Sequence, residues 1–76
     1  MTHIQLTNAI NYAISQYKLR PSLREALEHS RLDMIANFHT YNNKFSSRWY
    51  KDREKEWFDY VVARESFFFL KADLLH

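Results

Sequence analysis

The sequence predicts an all-α protein: one small three-helix domain in which two short helices pack on one long, aromatic-rich C-terminal helix, and which forms a dimer. The chain has 76 residues with no Gly and one Pro, whereas Gly is the usual residue of tight hairpin turns. Apolar residues recur at helical spacing in three segments, which Pro21 and the polar cluster at 41–44 separate. We expect helices over residues 3–19, 22–40 and 47–74.

The first helix begins with a capping signal. Thr2 is followed three residues later by Gln5, the pattern in which each side chain hydrogen-bonds the other residue's backbone N–H. Pro21 ends the helix near residue 19 or 20, because the residue before a proline disfavours helical geometry. One stripe at helical spacing carries the apolar residues Leu6, Ala9, Ile10, Ala13, Ile14 and Tyr17.

The second helix has the clearest start in the chain. Ser22 is an N-cap residue with Glu25 at the capping-box position. Its end is predicted near Thr40, since Asn42 and Asn43 tolerate the left-handed geometry that can end a helix without Gly. One stripe of this helix contains Leu23, Ala26, Leu27, Ser30, Met34, Ile35, Phe38 and Tyr41.

The third helix, capped by Ser46 or Ser47, has more apolar surface than one face can hold. At about 100° per residue, the face expected to meet the other two helices contains Trp49, Tyr50, Trp57, Tyr60, Val61, Arg64, Phe67, Phe68 and Leu75. A second strip, Phe58, Val62 and Phe69, lies roughly 140° around the helix. The predicted solvated side contains Asp52, Glu56, Asp59, Ser66 and Asp73.

The second strip is the reason to expect a partner. Two short helices cannot easily cover so wide an arc, so either the third helix breaks near residues 65–66 and folds back, or another chain covers the strip. We favour another chain, because a small domain without Cys has no disulfide to stabilise it and association is the simplest substitute. The predicted contact set is Phe58, Val62, Arg64 and Phe69, and the leading partner is a second copy.

Nothing in the sequence specifies a reaction. Cys is absent, and no Ser stands in a Gly-flanked turn with a base to activate it. The histidines His3, His29, His39 and His76 include no pair four residues apart, the spacing that presents two imidazoles on one helical face. We therefore expect no enzyme activity, no metal, no cofactor and no small-molecule substrate.

The favoured function is a non-enzymatic protein–protein interaction module, a small regulator, adaptor or inhibitor of a larger protein. Aromatic residues and Arg are the usual anchors of such interfaces. Residues 1–20 lack a signal-peptide pattern, and the apolar runs at 60–63 and 67–70 are far shorter than a membrane-spanning helix. A cytoplasmic protein without membrane contact is expected.

An alternative function is nucleic-acid binding by a transcriptional regulator. Residues 44–55 include five basic residues and two acids, with three aromatic residues among them. Cations can neutralise phosphates while an aromatic ring stacks on a base. The candidate contacts are Lys44, Arg48, Lys51, Arg53 and Lys55. The segment suits a solvated helix start better, because Arg48 and Asp52, and likewise Lys55 and Asp59, are helical pairs.

Overall fold

The structure, a computed structural model, describes residues 2–45 and 54–75, with the side chains of all of these except Lys44 and Phe45. Three helices form the chain in these ranges: α1 (His3–Tyr17), α2 (Leu23–Phe45) and α3 (Glu54–Leu75). No strand occurs among the described residues. The predicted all-α, three-helix class is confirmed.

The first two helices begin where their caps were predicted. The backbone N–H of Gln5 donates to Thr2 Oγ1 at 3.1 Å, and the N–H of Thr2 donates to Gln5 Oε1 at 3.0 Å, which completes the capping box. At the second start, the N–H of Glu25 donates to Ser22 Oγ at 3.2 Å. These bonds satisfy donors that the first helical turn leaves without an intrahelical acceptor.

The helix ends differ from the expected bounds. Helix α1 stops at Tyr17, with Lys18 as its C-cap residue. Helix α2 continues to Phe45 and has 23 described residues, so it is not the short helix that was predicted. No described residue has a positive φ, so Asn42 and Asn43 stay helical and do not form the left-handed cap that was predicted. Residues 47–53 of the predicted third helix lie outside the described ranges.

Helix α3 is continuous past residues 65–66. The Ser66 hydroxyl donates to the Val62 carbonyl at 2.7 Å, one turn earlier in the same helix. This local bond satisfies the serine side chain without interrupting the helix. The alternative in which the helix breaks and folds back is therefore wrong.

Helices α1 and α3 run in one direction, and α2 runs in the opposite direction. Helices α2 and α3 are antiparallel, because Phe38 stacks near Tyr60 (ring centroids 5.5 Å apart) while Ala26 and Leu70 share one buried cluster at the opposite end. Helix α1 is parallel to α3, and Lys18 Nζ reaches Asp73 Oδ2 at 3.2 Å where both helices end. Helix α3 packs most extensively on α2, less on α1, and α1 and α2 contact each other least.

Small side chains are buried on both α2 and α3. Ala26 and Ser30 on α2 are buried, as are Ala63 and Ser66 on α3. The Ser30 hydroxyl donates to the Leu27 carbonyl at 2.7 Å, so this buried polar group has a partner within its own helix. Small residues allow two helix backbones to approach closely, and Leu70 and Ile14 fill the space toward α1.

This contact reverses the predicted orientation of α3. Ser66, expected on the solvated side, is fully buried, while Trp57 and Phe68, expected to face the other helices, are 44% and 52% exposed. The prediction ranked the faces by hydrophobicity, but a close helix contact has no room for rings. The large side chains therefore lie beside the contact and not within it.

One side-chain hydrogen bond joins α1 to the middle of α2. The Tyr17 hydroxyl donates to Asp33 Oδ2 at 2.6 Å. Burial raises the pKa of the Tyr17 hydroxyl above its usual value, and the hydrogen bond to Asp33 and the charge of Asp33 raise it further. This bond supplements the apolar contact of Tyr17 with the core cluster.

Enlarging a small residue at the α2–α3 contact should destabilise the fold. We expect Ala63→Leu to lower the free energy of unfolding by about 1–3 kcal/mol, because the added side chain has no space. Ala72→Leu, at an exposed position of the same helix, is the matched control and should change it by less than about 0.5 kcal/mol. Urea unfolding followed by circular dichroism measures both, and equal effects would contradict a close contact at Ala63.

Stability should fall as pH rises above about 10. The unfolded chain releases the Tyr17 proton near pH 10, whereas the folded protein, with its raised pKa, retains it, so folding is favoured fully below pH 10 and progressively less above it. Tyr17→Phe should cost about 0.5–1.5 kcal/mol at pH 8 and flatten this alkaline decline. Urea unfolding of both proteins between pH 8 and 11.5 tests this, and identical slopes would refute the role of Tyr17.

Candidate protein interface

One side of α3 exposes a row of large side chains, here called the aromatic face: Trp57, Val61, Arg64, Phe68 and Leu75. Their spacings of four, three, four and seven residues place them along one line of a helix. Trp57 and Phe68 are about half exposed, Leu75 is 78% exposed, and Val61 is partly buried. Lys71, exposed and three residues after Phe68, lies in the same row.

Arg64 lies at the centre of this face. Its guanidinium carbon is 5.5 Å from the Tyr60 ring centroid and 6.0 Å from that of Trp57, within the range of cation–π attraction. One of its terminal nitrogens is 3.2 Å from Glu65 Oε1. The rings hold the cation in place, and a guanidinium has five N–H donors, more than one neighbouring carboxylate can occupy.

The apolar surface continues from α3 onto α2. Ile35 and Phe38 are exposed on α2, and a groove of about 210 Å³ lies between Met34, Ile35, Phe38 and Tyr60. At the same end of the pair, the Tyr41 and Trp57 rings are 5.3 Å apart. The exposed area is therefore one surface formed by two antiparallel helices.

The second strip lies on the side of α3 that faces α1. Phe58 and Leu6 line a groove of about 250 Å³, which Trp57 and Val61 of the aromatic face also border. The Lys18 ammonium lies 5.3 Å from the centre of the Phe69 ring. Phe58 and Val62 are partly buried, and Phe69 is 49% exposed. Of the predicted contact set Phe58, Val62, Arg64 and Phe69, only Arg64 belongs to the aromatic face, and the set stays a prediction.

The candidate nucleic-acid contacts are mostly beyond the described residues. Arg48, Lys51 and Arg53 lie outside the described ranges, as does the side chain of Lys44. The Lys55 ammonium lies 3.7 Å from Asp59 Oδ2 on a well exposed part of α3, the helical pair expected from their spacing. Nucleic-acid binding stays a prediction.

Among residues 2–45 and 54–75, no group of three or more His, Cys, Asp or Glu could hold a metal ion. Within the same residues, no helix has both the length and the apolar character needed to cross a membrane.

The exposure of the aromatic face was not predicted, because the sides of α3 were ranked by their hydrophobicity alone. A different signal was present in the sequence: Ala26 and Ser30 are four residues apart, and Ala63, Ser66 and Leu70 follow at intervals of three and four. Small residues at helical spacing on two helices are typical of a close contact. Had that pattern been used to orient α3, the rings of Trp57 and Phe68 would have been placed outside.

Comparison with known proteins gives no relative. No protein-family model matches the chain, and neither a curated protein nor a solved structure matches it.

The attraction between Arg64 and Tyr60 should be measurable as a coupling energy. We expect a double-mutant cycle of Tyr60→Leu and Arg64→Met to give about 0.5–1 kcal/mol, the usual size of an exposed cation–π pair. The same cycle with Lys55→Met in place of Arg64→Met is the control, because Lys55 lies on the far side of α3 from Arg64 and should show no coupling with Tyr60. Equal coupling in both cycles, measured by urea unfolding, would show that the Arg64 contact contributes nothing.

Proposed function

We propose that the protein is a non-enzymatic interaction module, a small regulator, adaptor or inhibitor that binds a larger protein through the aromatic face. The observation that supports this most directly is the row of Trp57, Phe68 and Leu75, large apolar side chains left exposed along one line of α3 with Arg64 between them. Single exposed apolar residues are ordinary, whereas a contiguous patch is typical of an interface.

The composition of the face suits binding. Trp, Tyr and Arg contribute most of the energy in protein interfaces, and Trp57, Tyr60 and Arg64 are in mutual contact here. Covering the exposed halves of Trp57 and Phe68 would contribute roughly 1 kcal/mol each, since full burial of such a side chain is worth about 1.5–3 kcal/mol. The contacts among the three residues also fix their conformations before binding, which lowers the entropy lost on association.

The limited core gives a second reason for a partner. Among the described residues the buried apolar side chains are Ile14, Ala26, Ala63 and Leu70, and two of these are alanines, which contribute little apolar area. A ligand that binds only the folded chain stabilises it by mass action. Binding would therefore serve stability as well as function.

Photo-crosslinking at Phe68 tests the function. We expect benzoylphenylalanine at position 68, in full-length protein expressed in its native host, to give a discrete covalent adduct, because the aromatic face is covered by a bound protein. Position 12 is the control, since Tyr12 is 66% exposed on α1 and lies outside the face. The measurement is the pattern of adducts by immunoblot and mass spectrometry.

Position 69 separates the two candidate surfaces. Phe68 and Phe69 are adjacent and similarly exposed, but only Phe68 is on the aromatic face. An adduct from position 69 and not from 68 would move the interface to the second strip, and an adduct of two copies there would favour the homodimer. Labelling at 68 no stronger than at position 12 would contradict the proposed function.

A further inference from the structure

We infer that the aromatic face and the adjoining α2 surface bind an acidic amphipathic helix supplied by a different protein. This inference rests on the proposed function and names the chemistry of the partner. Three properties of the described residues carry it: the spacing of the exposed row, the groove beside it, and the sign of the charge within it.

The residues of the aromatic face, together with Lys71, form one row with the spacing of a helix-packing seam, and this row is called the seam below. Trp57, Val61, Arg64, Phe68, Lys71 and Leu75 alternate at intervals of four and three residues, the repeat with which one helix packs along another. The row is about 27 Å long, the length of an 18-residue helix. A partner helix is thus matched in length to the seam.

The groove beside the seam defines where such a helix would lie. Two antiparallel helices, α2 and α3, form its banks, and the Phe38 and Tyr60 rings, in contact with centroids 5.5 Å apart, form its floor. A helix placed there becomes the fourth member of an antiparallel bundle, in which apolar residues spaced by three and four fill the core.

The sign of the charge within the seam indicates the charge that the partner helix carries. Arg64 and Lys71 are its two charged residues and both are basic. Lys71 is exposed and makes no ion pair within the described part of the chain. Arg64, 32% exposed, lies against Tyr60 and Trp57 and pairs with one carboxylate, that of Glu65 at 3.2 Å. Its five N–H donors allow a second carboxylate to bind as well. A carboxylate on the partner can pair with a guanidinium through two parallel hydrogen bonds.

A second copy of this chain fits the seam poorly. Placing two seams face to face brings Arg64 and Lys71 of both copies into one interface, and like charges oppose such pairing. Helix α1 has no charged residue between His3 and Tyr17 to complement them. On α2, the carboxylate of Glu28 is paired with Arg31 and that of Asp33 accepts from Tyr17, which leaves Glu25 as the one other acid of this helix against two cations. A different protein is therefore the better occupant.

A pair of designed peptides tests the inference. Both are 18-residue helices with the same leucines at positions spaced by three and four, and they differ only in having Glu or Lys at the residues that flank this stripe. Binding of fluorescein-labelled peptide to the full-length protein is followed by anisotropy at 50 and 300 mM NaCl. We expect the Glu peptide to bind at least tenfold more tightly than the Lys peptide, and salt to reduce this ratio.

Variants identify the residues responsible. Arg64→Glu with Lys71→Glu should reverse the preference, and Phe68→Asp should weaken both peptides by at least tenfold. Lys55→Glu is the matched control: Lys55 lies about 180° around α3 from Arg64, so the preference should be unchanged. Circular dichroism confirms that each variant is folded.

Equal binding of the two peptides, preference for the Lys peptide, or no binding of either would overturn the inference. The proposed function would still stand if position 68 crosslinks to a protein in cells, so the two failures are distinguishable. Concentration-dependent dimerisation that is lost with Phe68→Asp, measured by light scattering, would also overturn the inference, because the seam would then bind a second copy.

Discussion

The close approach of α2 and α3 is the constraint on which the rest of the structure depends. Ala26 and Ser30 on α2 and Ala63 and Ser66 on α3 are small and buried, so the two backbones can lie near each other and Leu70 can reach the core cluster with Ile14. Each buried serine hydroxyl donates to a carbonyl of its own helix, which removes the cost of an unsatisfied buried polar group. Because this space is narrow, the aromatic rings of α3 lie on either side of it.

The separation of the α3 aromatic rings into two groups connects the packing of the helices to the proposed function. The rings on one side share their surface with α1, as Phe58 and Phe69 do. On the other side Trp57 and Phe68 are about half exposed, although Trp57 also borders the α1 groove, and there Trp57 and Tyr60 contact the guanidinium of Arg64. Within the described residues, α1 and α2 contact α3 on two sides and leave a third side open. The same geometry that stabilises the fold therefore creates the surface proposed to bind a partner.

Local signals in the sequence were sufficient for part of this structure. The missing Gly, the stripes at helical spacing, and the caps at Thr2 and Ser22 predicted three helices and two of their starts, because each depends on neighbours along the chain. The end of α2 was misplaced, since Asn42 permits a left-handed cap without requiring one. The predicted orientation of α3 was also wrong. Which side of α3 is buried depends on the helix packed against it, and the alanines and serines of α2 were not considered in the prediction. The interface residues and the basic segment stay predictions.

The two ends of helix α1 are not equally well packed, and this difference affects local unfolding of the helix. Its one buried residue is Ile14, which is 8% exposed. Its polar links to the other helices, from Tyr17 to Asp33 and from Lys18 to Asp73, come from its last residue and its C-cap. The N-terminal turns have exposed residues such as Ile4 and rest on α3 across an open groove. Segments with few buried contacts open with less free energy than the whole fold requires. The beginning of α1 can therefore fray and re-form as a local unit while α2 and α3 remain paired, so that amide exchange in its first turns reports this local opening and exchange near Leu70 reports global unfolding.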